Sequence, residues 1–170
     1  PETVALQYLR LDLADVAASV TVTDEALRRF YEQVAAERYV DTERRRASHI
    51  LIEAGADDAA ALAKANDVLA RAKAGEDFAK LATGFSDDPG SKAQGGDLGW
   101  ATRESFVQPF AEALFTMQKG EIRGPVKTQF GYHIIRLDDV SPSHQRTFEE
   151  VRAEIEADYR SEQARSLFYE

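Results

Sequence analysis

The chain has 170 residues, 44% of them hydrophobic and 30% charged, so it can bury a core of ordinary domain size and disorder is not its default state. A formal net charge of -9 offers no basic face to a nucleic-acid backbone, and the absence of cysteine excludes disulfides and thiol chemistry. No run approaches the ~18 apolar residues that cross a bilayer. Beginning at Pro1 without an initiator Met, the chain reads as an excised piece of a longer protein. Acidic side chains outnumber basic ones over 1–43 and 141–170 and nearly balance them over 44–140.

Leu9, Leu11 and Leu13 alternate with Arg10 and Asp12, the period of a half-buried strand. Thr23 then caps an acidic first turn, and Leu27, Phe30, Tyr31 and Val34 recur at helical spacing. Ala47 to Glu53 is an apolar strand run. Asp57 to Ala74 is an alanine-rich helix with Gly75 as its stop, and Phe78, Leu81 and Ala82 mark a second, short one. Gly84 to Gly99 is rich in Gly, Asp and Ser and reads as a long surface loop ending at Trp100. Helical spacing returns from Phe106 to Met117, and Gly124-Pro125-Val126 and Tyr132 to Leu137 are two further strands. Thr147 and Glu150 form a capping-box pattern ahead of Val151, Ile155 and Tyr159. The two terminal helices each carry one apolar stripe, which packing against each other would bury.

Strands separated by non-repeating helices indicate an α+β fold with an antiparallel or mixed sheet. A doubly wound nucleotide fold wants a glycine-rich turn after its first strand, but Gly55 stands alone and Gly95-Gly96 comes too late to open a helix.

His49 and His133 lie on two strands far apart in sequence, each on the same strand face as neighbouring apolar residues. If those strands are neighbours, the imidazoles meet over one surface; satisfied core histidines are the plainer reading of the spacing alone. A metal would need a third ligand such as Asp88, and no HxH or HxxxH spacing supports it. Ser86-Asp87-Asp88-Pro89 reads as an ordinary turn. Ser105 has no neighbouring base, Gly-x-Ser-x-Gly is absent, and His144 reads as a solvated loop residue.

Three blocks change the balance: RRASHILI ending at Ile52, FAKLATGFSDDPGSKAQGGDLGW (78–100) and FVQPFAEALFTMQKGEIRGPVKTQFGYHIIRL (106–137). In order, spacing and length they resemble the parvulin family of peptidyl-prolyl cis-trans isomerases, over more than half the chain. The flanking VALQYLRLDL (4–13) and VTDEALRRFYEQ (22–33) look like the segment before the parvulin module in PpiD-type chaperones of Gram-negative bacteria, with a SurA- or PrsA-type parent as the alternative.

The resemblance implies a parvulin (FKBP-like) α+β fold, a small four-stranded, mostly antiparallel sheet surrounded by helices. It would occupy 44–140, between a strand and helix over 1–43 and a C-terminal helix over 141–170 that packs on the N-terminal flank. It implies a site in which His49 and His133 are the paired histidines, Asp88 the acid and Thr128 the nearby hydroxyl. Leu98, Phe106, Phe110, Met117 and Phe130 would bind or support the proline side of the substrate, with Phe106 in place of a common methionine. No metal and no cofactor is implied. The partners would be proline-containing unfolded polypeptides. Neither nucleic-acid nor membrane contact is expected of this fragment, although the parent would be periplasmic and tethered to the inner membrane. The phospho-directed branch carries a long basic loop after its first strand; here Glu53 to Asp58 is short and acidic, so phosphopeptide preference is not expected. The competing function is a catalytically inactive, peptide-binding chaperone module with the same fold.

Overall fold

The computed structural model describes residues 12–169. In chain order the elements are α1 (Leu13–Ser19), α2 (Asp24–Arg38), β1 (Val40–Asp41), β2 (Arg44–Ile52), α3 (Asp58–Lys73), α4 (Phe78–Phe85), β3 (Asp97–Ala101), α5 (Gln108–Leu114), β4 (Ile122–Thr128), β5 (Gly131–Ser141), β6 (His144–Gln145) and α6 (Phe148–Tyr169). They fall into two compact units: Thr42–Ser143, and the two ends of the chain together.

The central unit is built on an antiparallel sheet ordered β3-β2-β5-β4. Its two inner strands are buried on both faces, and strand alternation splits their side chains between two cores. Ile50, Ile52, Tyr132 and Ile134 face α3 and α4, where they meet Ala65, Val68, Phe78 and Leu81. Ala47, Ile135 and Leu137 face the other way and pack with Phe110, Leu114 and Met117. Alanine dominates the buried stripe of α3, with Asp57 capping its first turn by accepting from the Ala60 N–H at 2.9 Å.

In the terminal unit Leu27, Phe30 and Tyr39 pack with Phe148, Val151 and Ile155. Thr147 and Glu150 form a reciprocal capping box: the Thr147 N–H donates to the Glu150 carboxylate at 2.6 Å, and the Glu150 N–H to Thr147 Oγ1 at 3.3 Å. Two short strands, β1 and β6, pair Val40 with Gln145 and Asp41 with His144.

Two sequence expectations need correcting. The strand over 4–13 lies outside the described residues except at its end, where Asp12 accepts from the Ala14 N–H at 3.0 Å and Leu13 opens α1. An Asp cap before an alanine-rich turn favours helix there over the leucine alternation. The 84–99 surface loop ends early, because Asp97–Ala101 is the edge strand β3. Asp97-Leu98-Gly99-Trp100-Ala101 has no β-branched residue to announce a strand; pairing with the free edge of β2 imposes it.

Candidate active site

Antiparallel pairing sets Leu51 opposite His133 and His49 opposite Ile135, which makes the two imidazoles diagonal neighbours on one face. Both are buried. Their Nδ1 atoms stand 3.0 Å apart, and the rings stack with centroids at 5.2 Å.

Asp88 reaches this pair because its loop replaces β3 as the edge partner of β2. The His49 N–H donates to the Gly96 carbonyl (2.9 Å) and the Asp87 N–H to the Leu51 carbonyl (2.7 Å). The Leu51 N–H donates to the buried Ser86 hydroxyl (3.1 Å), and the Glu53 N–H to the Asp87 carboxylate (3.0 Å). Gly96 has φ of 85°, and a Cβ there would stand 2.3 Å from the His49 carbonyl oxygen, so only glycine permits this approach. So held, Asp88 Oδ2 lies 2.8 Å from His49 Nε2, and Asp88 Oδ1 accepts from the Gly90 N–H at 3.1 Å. At the other end of the row, Thr128 Oγ1 lies 2.7 Å from His133 Nε2 and accepts from the Phe130 N–H at 3.1 Å.

The protonation states follow from Asp88. Burial pushes its carboxyl up, but hydrogen bonds from Ser91, His49 and the Gly90 N–H outweigh this and hold it at about 2. An ionised carboxylate only accepts, so His49 donates through Nε2. With the Phe130 N–H donating to Thr128 Oγ1, the Thr128 hydroxyl is assigned as donor to His133 Nε2, and the single proton of a neutral His133 then sits on Nδ1, facing His49 Nδ1. Burial, and secondarily the neighbouring His49, push the His133 imidazole down to about 4, against a smaller pull from Asp88, which keeps the ring neutral at pH 7. The four side chains form one row whose hydrogens all point towards the carboxylate.

Beside this row lies a cleft of about 450 Å³, mostly apolar, whose lining includes Leu51, Leu98, Phe106, Val107, Phe110 and Phe130 together with His49, Asp88 and His133. Phe106 and Phe110 stack with centroids 4.9 Å apart, and the Phe110 ring meets His133 edge to face at 5.2 Å and His49 at 5.8 Å. Helix α5, which carries Phe110, is anchored at its C-terminus by Arg45, whose Nη1 donates to the Leu114 and Met117 carbonyls, both at 2.8 Å. Phe130, 53% exposed, stands at the mouth on the β4–β5 hairpin. A separate depression of about 420 Å³ holds Arg46–Asp97 and Arg136–Asp138 ion pairs that already satisfy one another.

Of the residues singled out in the sequence, His49, Asp88, His133, Leu98, Phe106, Phe110 and Phe130 line the cleft. Thr128 acts on His133 from behind it. Met117 does not reach the cleft; it is buried in the cluster under Phe110 and Leu114. Ser91 was missed: its hydroxyl bonds Asp88 Oδ2 and lies 3.1 Å from His49 Nε2. The only sequence signal was its place three residues after Asp88 in a turn full of hydrogen-bonding side chains. Among the described residues no group of three or more His, Asp or Glu side chains is placed to hold a metal ion.

A family model for the PPIC-type PPIASE domain matches residues 31–141. The chain belongs to this family. A probable parvulin-type peptidyl-prolyl cis-trans isomerase of Bordetella pertussis is 39% identical over 150 residues, covering 87% of this chain and 55% of the relative. The foldase protein PrsA of Geobacillus kaustophilus is 38% identical over 157 residues, covering 91% of this chain and 50% of the relative. The chain thus spans about half the length of the curated relatives it matches. Among solved structures, a SurA-like chaperone of Campylobacter jejuni superposes with a TM-score of 0.78 at 32% identity, covering 92% of this chain and 62% of that one. The sheet and its helices are the parvulin fold, and the PPIC-type domain is a peptidyl-prolyl cis-trans isomerase domain. Relatives of both the foldase and the SurA-like kind align through the terminal unit as well as the central one.

Proposed function

We propose that the cleft between Phe110 and the histidine row rotates Xaa-Pro bonds of extended, unphosphorylated polypeptides, and that the parent protein uses it to assist folding. The observation that carries this reading is the juxtaposition of an apolar seat with a fully paired polar wall, Thr128–His133–His49–Asp88. The barrier to rotation is roughly 18–20 kcal/mol because twisting destroys amide resonance. No bond breaks, so the site needs only to hold the twisted amide better than either planar form. Phe106, Phe110 and Leu98 would hold the proline ring while the preceding carbonyl swings. The oriented row would present fixed dipoles to the redistributed charge with no reorganisation. A 10⁴-fold acceleration requires about 5.5 kcal/mol of such preference.

On this reading residues 44–140 are the catalytic domain, with His49, Asp88, Thr128 and His133 as its polar group, and the helices of 1–43 and 141–170 belong to the chaperone part. A periplasmic setting draws support from the SurA-like neighbour, which is grouped with a periplasmic protein. Tethering of the parent to the inner membrane is the finer part of the proposal, to be tested by fractionating the full-length protein. No helix among the described residues is long and apolar enough to cross a membrane.

Magnetisation exchange between cis and trans forms of an Xaa-Pro peptide tests the activity without a coupled protease. Acceleration by the intact chain supports the proposal. The second reading, an inactive peptide-binding module, is favoured by the apolar character of the cleft, which would seat a chain whether or not the row acts. Binding without acceleration would select it.

A further inference from the structure

Ser91 occupies the N-cap position of the short 3-10 turn at Lys92–Gln94, yet its hydroxyl makes no capping bond there. A serine in that place ordinarily bonds the N–H groups of its own turn. Here the hydroxyl turns inward: it donates to Asp88 Oδ2, and its oxygen lies 3.1 Å from His49 Nε2. The residue is 2% exposed, and its carbonyl accepts from the Gly96 and Gln94 N–H groups at 2.9 and 3.0 Å, so its backbone is held in place beside Asp88. With the Gly90 N–H on Oδ1, every hydrogen bond to the Asp88 carboxylate except that of His49 comes from the three residues that follow it.

We infer that Ser91 is a positioning residue, holding the Asp88 carboxylate aimed at His49 so that the imidazole row keeps one direction. This rests on the reading that Asp88 and His49 belong to the isomerase site. Ser91 itself lies outside the residues that line the cleft, so it acts through its two partners. The titratable groups around Asp88 are His49 against it, His133 behind His49, and its loop neighbours Asp87 and Lys92. The Asp87 carboxylate is engaged by the Glu53 N–H, and Lys92 meets Asp88 through its backbone N–H, which donates to the Asp88 carbonyl.

The test follows the carboxyl carbon of Asp88 by NMR during acid titration, in the wild-type chain, in Ser91→Ala and in Ser91→Thr. Removing a donor to the charged form raises a carboxyl pKa, so Ser91→Ala should move the Asp88 midpoint up by about one pH unit. Ser91→Thr, which keeps the hydroxyl, should restore the wild-type midpoint if it folds, as its amide spectrum will report. An unchanged midpoint in folded Ser91→Ala overturns the inference, whatever the catalytic activity. Where isomerisation is measurable, Ser91→Ala should lower kcat several-fold with KM unchanged, and should add no further loss in an Asp88→Asn background. An equal loss in that background would show that Ser91 does not act through Asp88 and would likewise overturn it. A wild-type chain without activity would refute the proposed function and leave the titration to decide the place of Ser91.

Discussion

At the scale of single residues the site divides its work between Phe110 and the polar row. Phe110 is 3% exposed and touches Phe106 and both imidazoles, so Phe110→Ala removes the seat and the packing that fixes the rings. Peptide affinity should fall by ~1–3 kcal/mol and kcat/KM by at least as much; titration calorimetry beside the exchange assay measures both. Asp88→Asn nearly conserves volume and removes a charge. Affinity should hold while kcat falls, and the acid limb of the rate profile should move to lower pH, because the carboxylate no longer favours protonated imidazole. A wild-type profile would leave Asp88 as a turn residue only. His133 ties the row to stability. Its folded pKa, about 4, lies below its ordinary 6.5, so acid protonates the unfolded chain first. The neutral ring's contribution is complete above 6.5 and is lost as pH falls towards 4, at most about 3 kcal/mol. Asp88 adds a loss below 3.8 in the same direction. Thermal stability should therefore drop between pH 6.5 and 4, and less steeply in His133→Gln; equal slopes would contradict the assignment.

At the scale of elements, legibility followed how local each signal was. The inner strands announced themselves because Ile50 to Ile52 and Tyr132 to Leu137 are apolar on both faces, and their alternation put both histidines on the surface they share. The capping residues Thr23 and Thr147 marked helix starts from local chemistry alone. What stayed hidden was set by distant partners. Strand β3 exists because β2 offers an edge, and the aim of Asp88 depends on Ser86 and Gly96 gripping that edge from Leu51 to His49. Met117 carried the right chemistry, but its turn buries it a layer below the cleft. The β2–α3 link also decides substrate charge. Asp57 caps α3, and Asp58 already holds Lys127 at 3.1 Å and the Tyr132 hydroxyl at 2.8 Å. Among the described residues no lysine or arginine lines the cleft. Phosphorylating the residue before proline should thus leave kcat/KM unchanged or lower it, and a large gain for the phosphopeptide would refute this.

At the scale of the whole molecule, the terminal unit joins the two ends of the chain in one core. Leu27, Phe30 and Tyr39 on one side meet Phe148, Val151 and Ile155 on the other, each worth roughly 1.5–3 kcal/mol on full burial. Deleting residues 146–170 should strip hydrogen-exchange protection from α2, and unchanged protection would mean that α2 is held by something else. The central unit has its own two cores, on the two faces of one sheet, and the cleft and the histidine row both belong to it. The most direct measurement is therefore exchange spectroscopy on an unphosphorylated Xaa-Pro peptide with the intact chain and with Phe110→Ala at matched peptide saturation. The expected result is faster cis–trans exchange with the intact chain and a loss of most of that acceleration in the variant. Saturable peptide binding to the intact chain with exchange no faster than in buffer would contradict catalysis at this site.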